Sequence, residues 1–139
     1  MKDNFKLVVP GKPEYICAVR LAISSLANNA GFDIEAIEDI KVAVSEACTN
    51  IIMHGHNNKE MEYLEYEVRC EIFNNKLSIS VEDEGKGYDL KNYKEPDLTA
   101  ENTGGLGLFI IRTLMDEVVV ESETGVGTHI KMVKYIQEM

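Results

Sequence analysis

The sequence predicts an α+β fold of two layers, with helices covering one face of a mainly antiparallel sheet. Three observations predict it. Two apolar stripes of helical period come first, a strict alternation of apolar and polar residues begins at Leu64, and two β-like runs close the chain around a glycine turn. A chain of 139 residues with 45% hydrophobic content can build one compact core and is too small for two ordinary domains. A single domain over 1–139 is therefore expected.

Element by element, Phe5 to Val9 reads as a short strand. Ile16, Val19, Ile23, Leu26 and Ala30 then recur at spacings of three and four, which gives a helix one buried stripe. Gly31 ends that helix. Asp33 offers an N-cap to a second helix, whose stripe is Ile37, Ile40, Val44, Ala47 and Ile51 and which runs to Gly55. From Leu64 the period becomes two: Leu64, Tyr66, Val68, Cys70 and Ile72 alternate with Glu65, Glu67, Arg69 and Glu71. Asn74 and Asn75 tolerate positive φ and suit a tight turn into Leu77, Ile79 and Val81. Periodicity is lost from Glu84 to Gly105, and a stretch of that length inside a compact domain is usually functional or disordered. Leu106 to Met115 is helical again, and Glu117 to Ser122 and Thr128 to Val133 are strands around a Gly125/Gly127 turn.

Composition removes several classes of function. A net charge of -10 does not suit a chain that holds DNA or RNA by neutralising phosphates. The amino-terminal apolar run is short and broken by Pro10, so it is neither a signal peptide nor a membrane span, and a cytosolic protein is expected. Cys17, Cys48 and Cys70 match no zinc spacing and lie in apolar periodic segments, which makes buried, reduced thiols the expectation.

The chemistry sits in three places. Glu46 and Asn50 lie four residues apart on the second helix and flank its apolar stripe, so their polar heads face one small volume. An isolated pair of this kind is ordinarily a solvated face. In "VEDEGKGYDL", Asp83 ends a strand and is followed by Gly85 and Gly87, which let the backbone turn and a ligand approach closely. A carboxylate there can accept a hydrogen bond from an exocyclic amine such as that of adenine; the plain alternative is an acidic hairpin corner. "TGGLGLFII" puts Gly104, Gly105 and Gly107 at a helix start, where free backbone N–H groups favour a phosphate, although neither a P-loop nor a dinucleotide fingerprint is present. Beside a phosphate, Asn50 is a hard oxygen ligand of the kind Mg²⁺ accepts, and Glu46 could take a proton from an attacking hydroxyl.

Taken in order, ExxxN in "SEACTNIIMHGH", DxGxG in "DEGKG", "GGLGL" and the late "GT" of "GVGTHI" resemble the motifs of the GHKL ATP-binding superfamily, whose fold is the Bergerat fold. The stretch from Pro13 to Asn50, together with "GGLGLFIIRTLMDEV", is similar more particularly to the bacterial anti-sigma factor serine kinases of the RsbW type, close to the SpoIIAB type. The resemblance implies that Glu46 is the general base, Asn50 the Mg²⁺ ligand and Asp83 the acceptor for the adenine amine. It implies that Gly85 and Gly87 shape the adenine wall, that Thr128 supports the Asp83 end, and that Gly105 and Gly107 contact phosphate. Tyr88 to Thr103 would be the ATP lid, and Arg20, the one basic residue of the first helix, matches the arginine that contacts partners.

By the same resemblance the cofactors are ATP and Mg²⁺, and the partners are a sigma factor, which is sequestered, and an anti-anti-sigma protein of STAS type, which is phosphorylated on serine. Pairing as a homodimer is implied as well. Three alternatives share parts of this pattern. A histidine-kinase ATP domain would need dimerisation helices with a phospho-accepting His, and the chain reads as complete from Met1. An ATPase of the gyrase, Hsp90 or MutL type would need a transducer domain. A nucleotide-binding module without kinase activity would share every motif. Lys86 and Arg112 read as solvated charges, and His54 as a structural histidine.

Overall fold

A computed structural model describes residues 2–55, 65–83, 106–123 and 127–137. Strand β1 (Asp3–Pro10) leads through a single 3₁₀ turn at Pro13–Tyr15 into α1 (Ile16–Ala30) and α2 (Ile34–Gly55). The hairpin β2 (Glu65–Phe73) and β3 (Lys76–Glu82) follows, then α3 (Leu106–Leu114), β4 (Glu117–Glu123) and β5 (Gly127–Tyr135). The strands form one sheet in the order β1-β2-β3-β5-β4, and each neighbouring pair is antiparallel.

Local chemistry explains where these elements begin and end. Gly31 closes α1 at φ 102°, a left-handed conformation that glycine adopts without a Cβ clash. Asp33 caps α2 as expected, its Oδ1 accepting from the Ala36 N–H at 2.8 Å. Asn74 takes φ 56° in the β2–β3 turn, a value asparagine tolerates better than most residues. Gly55 and Phe73 end their elements close to the positions that periodicity predicts.

Register then assigns the faces. Leu7 pairs with Val68, Val68 with Val81, and Val81 with Ile130, so apolar positions of four strands line up on one side. The helices cover that side. Ile23 and Ala27 of α1, Ile40, Val44, Ala47 and Ile51 of α2, and Leu108 and Ile111 of α3 are fully buried against it. Truncating a buried isoleucine such as Ile51 to Ala removes its burial and leaves a cavity, at a cost of ~2–5 kcal/mol. The opposite side carries Lys6, Glu67 and Arg69, joined by exposed ion pairs of 3.1 Å and 3.0 Å that contribute little to stability.

One expectation needs correction. Cys48 and Cys70 are buried, and burial pushes their thiols up to about 11 and about 12, but Cys17 is exposed. The apolar stripe of α1 is carried by Val19, Ile23 and Ala27, and Cys17 follows the partly buried Ile16 by one residue. That step turns it about 100° round the helix, away from the sheet.

Candidate functional site

The site is strung along α2, which packs against both α1 and α3. Glu46, Asn50 and His54 succeed one another at intervals of four, so they stay on one side of the helix and span about 12 Å. All three are partly buried. They border the fully buried stripe of Val44, Ala47 and Ile51, which is why polar residues can persist there without breaking the core.

At one end, Glu46 meets the first turn of α3. A Cβ placed on Gly107 would lie 3.0 Å from Glu46 Oε2, so the glycine gives the carboxylate its room. One turn further along α2, Asn50 Oδ1 is buried and has no hydrogen-bond partner among the described residues. An unpartnered buried oxygen is costly unless a ligand completes it. A hard, neutral oxygen beside a carboxylate and a helix N-terminus suits Mg²⁺ bound with phosphate, so the residues present fit that ion.

At the other end, Asp83 leaves β3 and is clasped by β5. Its N–H donates to the Thr128 carbonyl at 3.0 Å, and its Oδ1 accepts from the Thr128 N–H at 2.9 Å. Thr128 is 3% exposed, and its hydroxyl lies 2.8 Å from that of Ser122 on β4. His54, in the last turn of α2, feels this cluster: partial burial lowers its pKa, and the Asp83 carboxylate works against that shift.

The structure thus brings Glu46, Asn50 and Gly107 together at one end of the α2 face and Asp83 and Thr128 at the other. Arg20 lies apart, exposed on α1 beside Leu21, which is 63% exposed. Gly85, Gly87, Gly105 and the lid at 88–103 lie outside the described residues. Sequence reasoning missed Ser122. A signal was present, since Val118, Val120 and Ser122 are successive inward positions of β4, and the third breaks an apolar series.

Comparison with known proteins places these residues in context. The family described as histidine kinase-like ATPase domain matches residues 9–134. The chain is 42% identical over 146 residues to a serine-protein kinase RsbW of Listeria innocua, covering 99% of this chain and 90% of that protein. It is 40% identical over 143 residues to the serine-protein kinase RsbW of Bacillus subtilis, covering 96% and 86%. Among solved structures, the RsbU and RsbW domains of a Mycobacterium tuberculosis protein superpose with a TM-score of 0.67 at 16% identity, covering 99% of this chain and 33% of that one. The histidine kinase domain of an Erythrobacter litoralis blue-light activated kinase gives a TM-score of 0.58 at 22% identity, covering 91% and 61%. These two likenesses bear out the α+β layering and the sheet expected from the GHKL resemblance.

Proposed function

We propose that this chain, which belongs to the histidine kinase-like ATPase family and within it to the RsbW serine-protein kinases, is an anti-sigma factor kinase. It sequesters a sigma factor and transfers the γ-phosphoryl group of ATP to a serine of an anti-anti-sigma protein of STAS type. The observation that carries the phosphoryl-transfer reading is the buried, unpartnered Asn50 Oδ1 one turn from Glu46 and on the same side of α2.

In this reading the Asp83 carboxylate accepts from the adenine amine, Thr128 holds Asp83 in place, and Gly85 and Gly87 shape the adjoining wall. Backbone N–H groups at Gly105 and Gly107 receive phosphate at the start of α3. Asn50 Oδ1 would hold Mg²⁺ together with phosphate oxygens, and the bound ion would neutralise charge on them. Glu46 removes the proton from the partner's serine hydroxyl as that oxygen attacks the γ-phosphorus. The bond from that phosphorus to the β,γ-bridging oxygen breaks, ADP leaves, and Glu46 later returns its proton to water. Residues 88–103 form the lid over the nucleotide. Arg20 presents its guanidinium to a carboxylate of the protein partners, for which bidentate hydrogen bonds suit it. The kinase acts as a homodimer in the cytoplasm; among the described residues no helix is long and apolar enough to cross a membrane.

Incubation of the chain with γ-labelled ATP, Mg²⁺ and a small STAS-type partner tests this reading. Label on a serine of the partner is the expected result. Label released only as inorganic phosphate would make the protein an ATPase, and label in neither place would make it a nucleotide-binding module.

A further inference from the structure

We propose that Ser122 is a positioning residue that selects the purine, acting through the hydroxyl of Thr128; the inference rests on the adenine-pocket reading given above. Ser122 is the last inward position of β4, one residue from its end, and stands opposite Thr128 in the β4–β5 pairing. A half-buried hydroxyl at that position costs stability unless it is hydrogen-bonded. Its Oγ lies 2.8 Å from Thr128 Oγ1, so the bond is made within the hairpin itself.

The consequence follows from counting donors. The Thr128 main chain is already fixed to Asp83 at both its N–H and its carbonyl. Its hydroxyl has one hydrogen to donate and two lone pairs. On the Watson–Crick edge of adenine the exocyclic amine is a donor and the neighbouring N1 is an acceptor. With the amine on the Asp83 carboxylate, N1 calls for a donor beside it, either in direct contact or through one bridging water. The Thr128 hydroxyl hydrogen can rotate, and a donor on one of the oxygen's lone pairs fixes the direction in which that hydrogen points. Ser122 therefore donates to Thr128 Oγ1, and Thr128 in turn donates to N1. Hypoxanthine and guanine present an acceptor and then a donor at the same two atoms, so they are mismatched to Asp83 and to Thr128 together. The restricted χ1 of threonine keeps the hydroxyl where Ser122 holds it.

The test is calorimetric titration of the full chain, wild type and variants, with ATP and with 1-deaza-ATP, which keeps the amine and replaces N1 by C–H. Wild type should bind ATP ~3–10-fold more tightly than 1-deaza-ATP, the range expected of one hydrogen bond. Ser122→Ala should lose most of that preference through weaker ATP binding while its affinity for 1-deaza-ATP stays unchanged. Ser122→Thr should restore the preference, and Ser122→Cys, a poor donor of nearly the same shape, should behave like the alanine variant. A fall of equal size for both nucleotides in Ser122→Ala and Ser122→Cys would reduce Ser122 to packing and overturn the proposal, as would a preference that survives both changes. A wild type that binds ATP tightly but does not discriminate against 1-deaza-ATP would overturn it and leave the Asp83 assignment standing. A wild type that binds GTP as well as ATP would instead defeat the adenine-pocket reading, and this proposal with it.

Discussion

At the Asp83 end of α2 the polar atoms close on one another across three strands, whereas at the Glu46 end they are held open between two helices. Asp83, Thr128 and Ser122 are tied by main-chain and side-chain hydrogen bonds of 2.8–3.0 Å. Glu46 is instead placed by the close approach of Gly107, and Asn50 Oδ1 has no partner among the described residues. On the adenine-pocket reading this end suits recognition of a flat base, which rewards an edge fixed by sheet register before the ligand arrives. On the same reading the Glu46 end suits phosphoryl transfer, in which Asn50 would hold a metal ion and Glu46 would take a proton. Changes at the first end should therefore act on binding, and changes at the second on turnover.

The largest effect should come from Glu46→Gln, which keeps the shape of the side chain and removes its capacity to take a proton. Transfer to the partner's serine should fall by ~10²–10⁴ while ATP binding persists. A variant that phosphorylates at the wild-type rate would make the helix glutamate structural. Next in size is Asp83→Asn. The amide oxygen can still accept from the Thr128 N–H, but on the adenine-pocket reading the amide NH₂ would face the adenine amine, donor against donor. Losing a charge-assisted bond of this kind should weaken ATP by ~10–100-fold with the thermal transition little changed. Equal ATP affinity by calorimetry would end the adenine assignment.

Smaller again is Gly107→Ala, which separates placement of the base from stability. The added Cβ would sit 3.0 Å from Glu46 Oε2, close enough that the carboxylate, at the end of a flexible side chain, must swing aside. Alanine is the better helix former, so stability should hold or rise slightly. Turnover should nevertheless fall by about tenfold, since small displacements of a reacting group are costly. Wild-type turnover in this variant would show that Glu46 does not depend on the space beside α3.

How much of this was legible in the sequence follows the same division. Periodicity located every described helix and strand to within a few residues because each buries one face, and Asp33, Gly31 and Asn74 announce their own conformations. The pairing of β3 with β5 is not written in either strand, since alternation tells which face is buried and not which neighbour it meets. Ser122 escaped notice for that reason: its role exists only once the β4–β5 register puts it opposite Thr128. The contact of Gly107 with Glu46 escaped as well, because a glycine in the first turn of α3 reads as conformational freedom or a phosphate contact, and only helix packing shows the side chain it accommodates. Cys17 was misread because its neighbours Ile16 and Val19 belong to the stripe while Cys17 itself does not.

The smallest expected effect tests whether α2 links the two ends, and it falls on His54. Burial lowers the pKa of this imidazole below 6.5, and the Asp83 carboxylate pulls it back up. The folded protein therefore prefers the neutral ring, and below about pH 6.5 the unfolded chain binds the proton more readily. The contribution of His54 to stability is accordingly present above that pH and lost as the pH falls through the lower, folded-state value. Relative to His54→Gln, wild type should lose thermal stability between pH 7.5 and pH 5.5, a comparison that cancels the titration of the carboxylates common to both. Parallel curves for the two proteins would sink the idea. The coupling to the base end has its own readout: in Asp83→Asn the opposing charge is gone, so the His54 titration midpoint, followed by NMR, should move further down. An unmoved midpoint would mean that the last turn of α2 does not sense the Asp83 carboxylate.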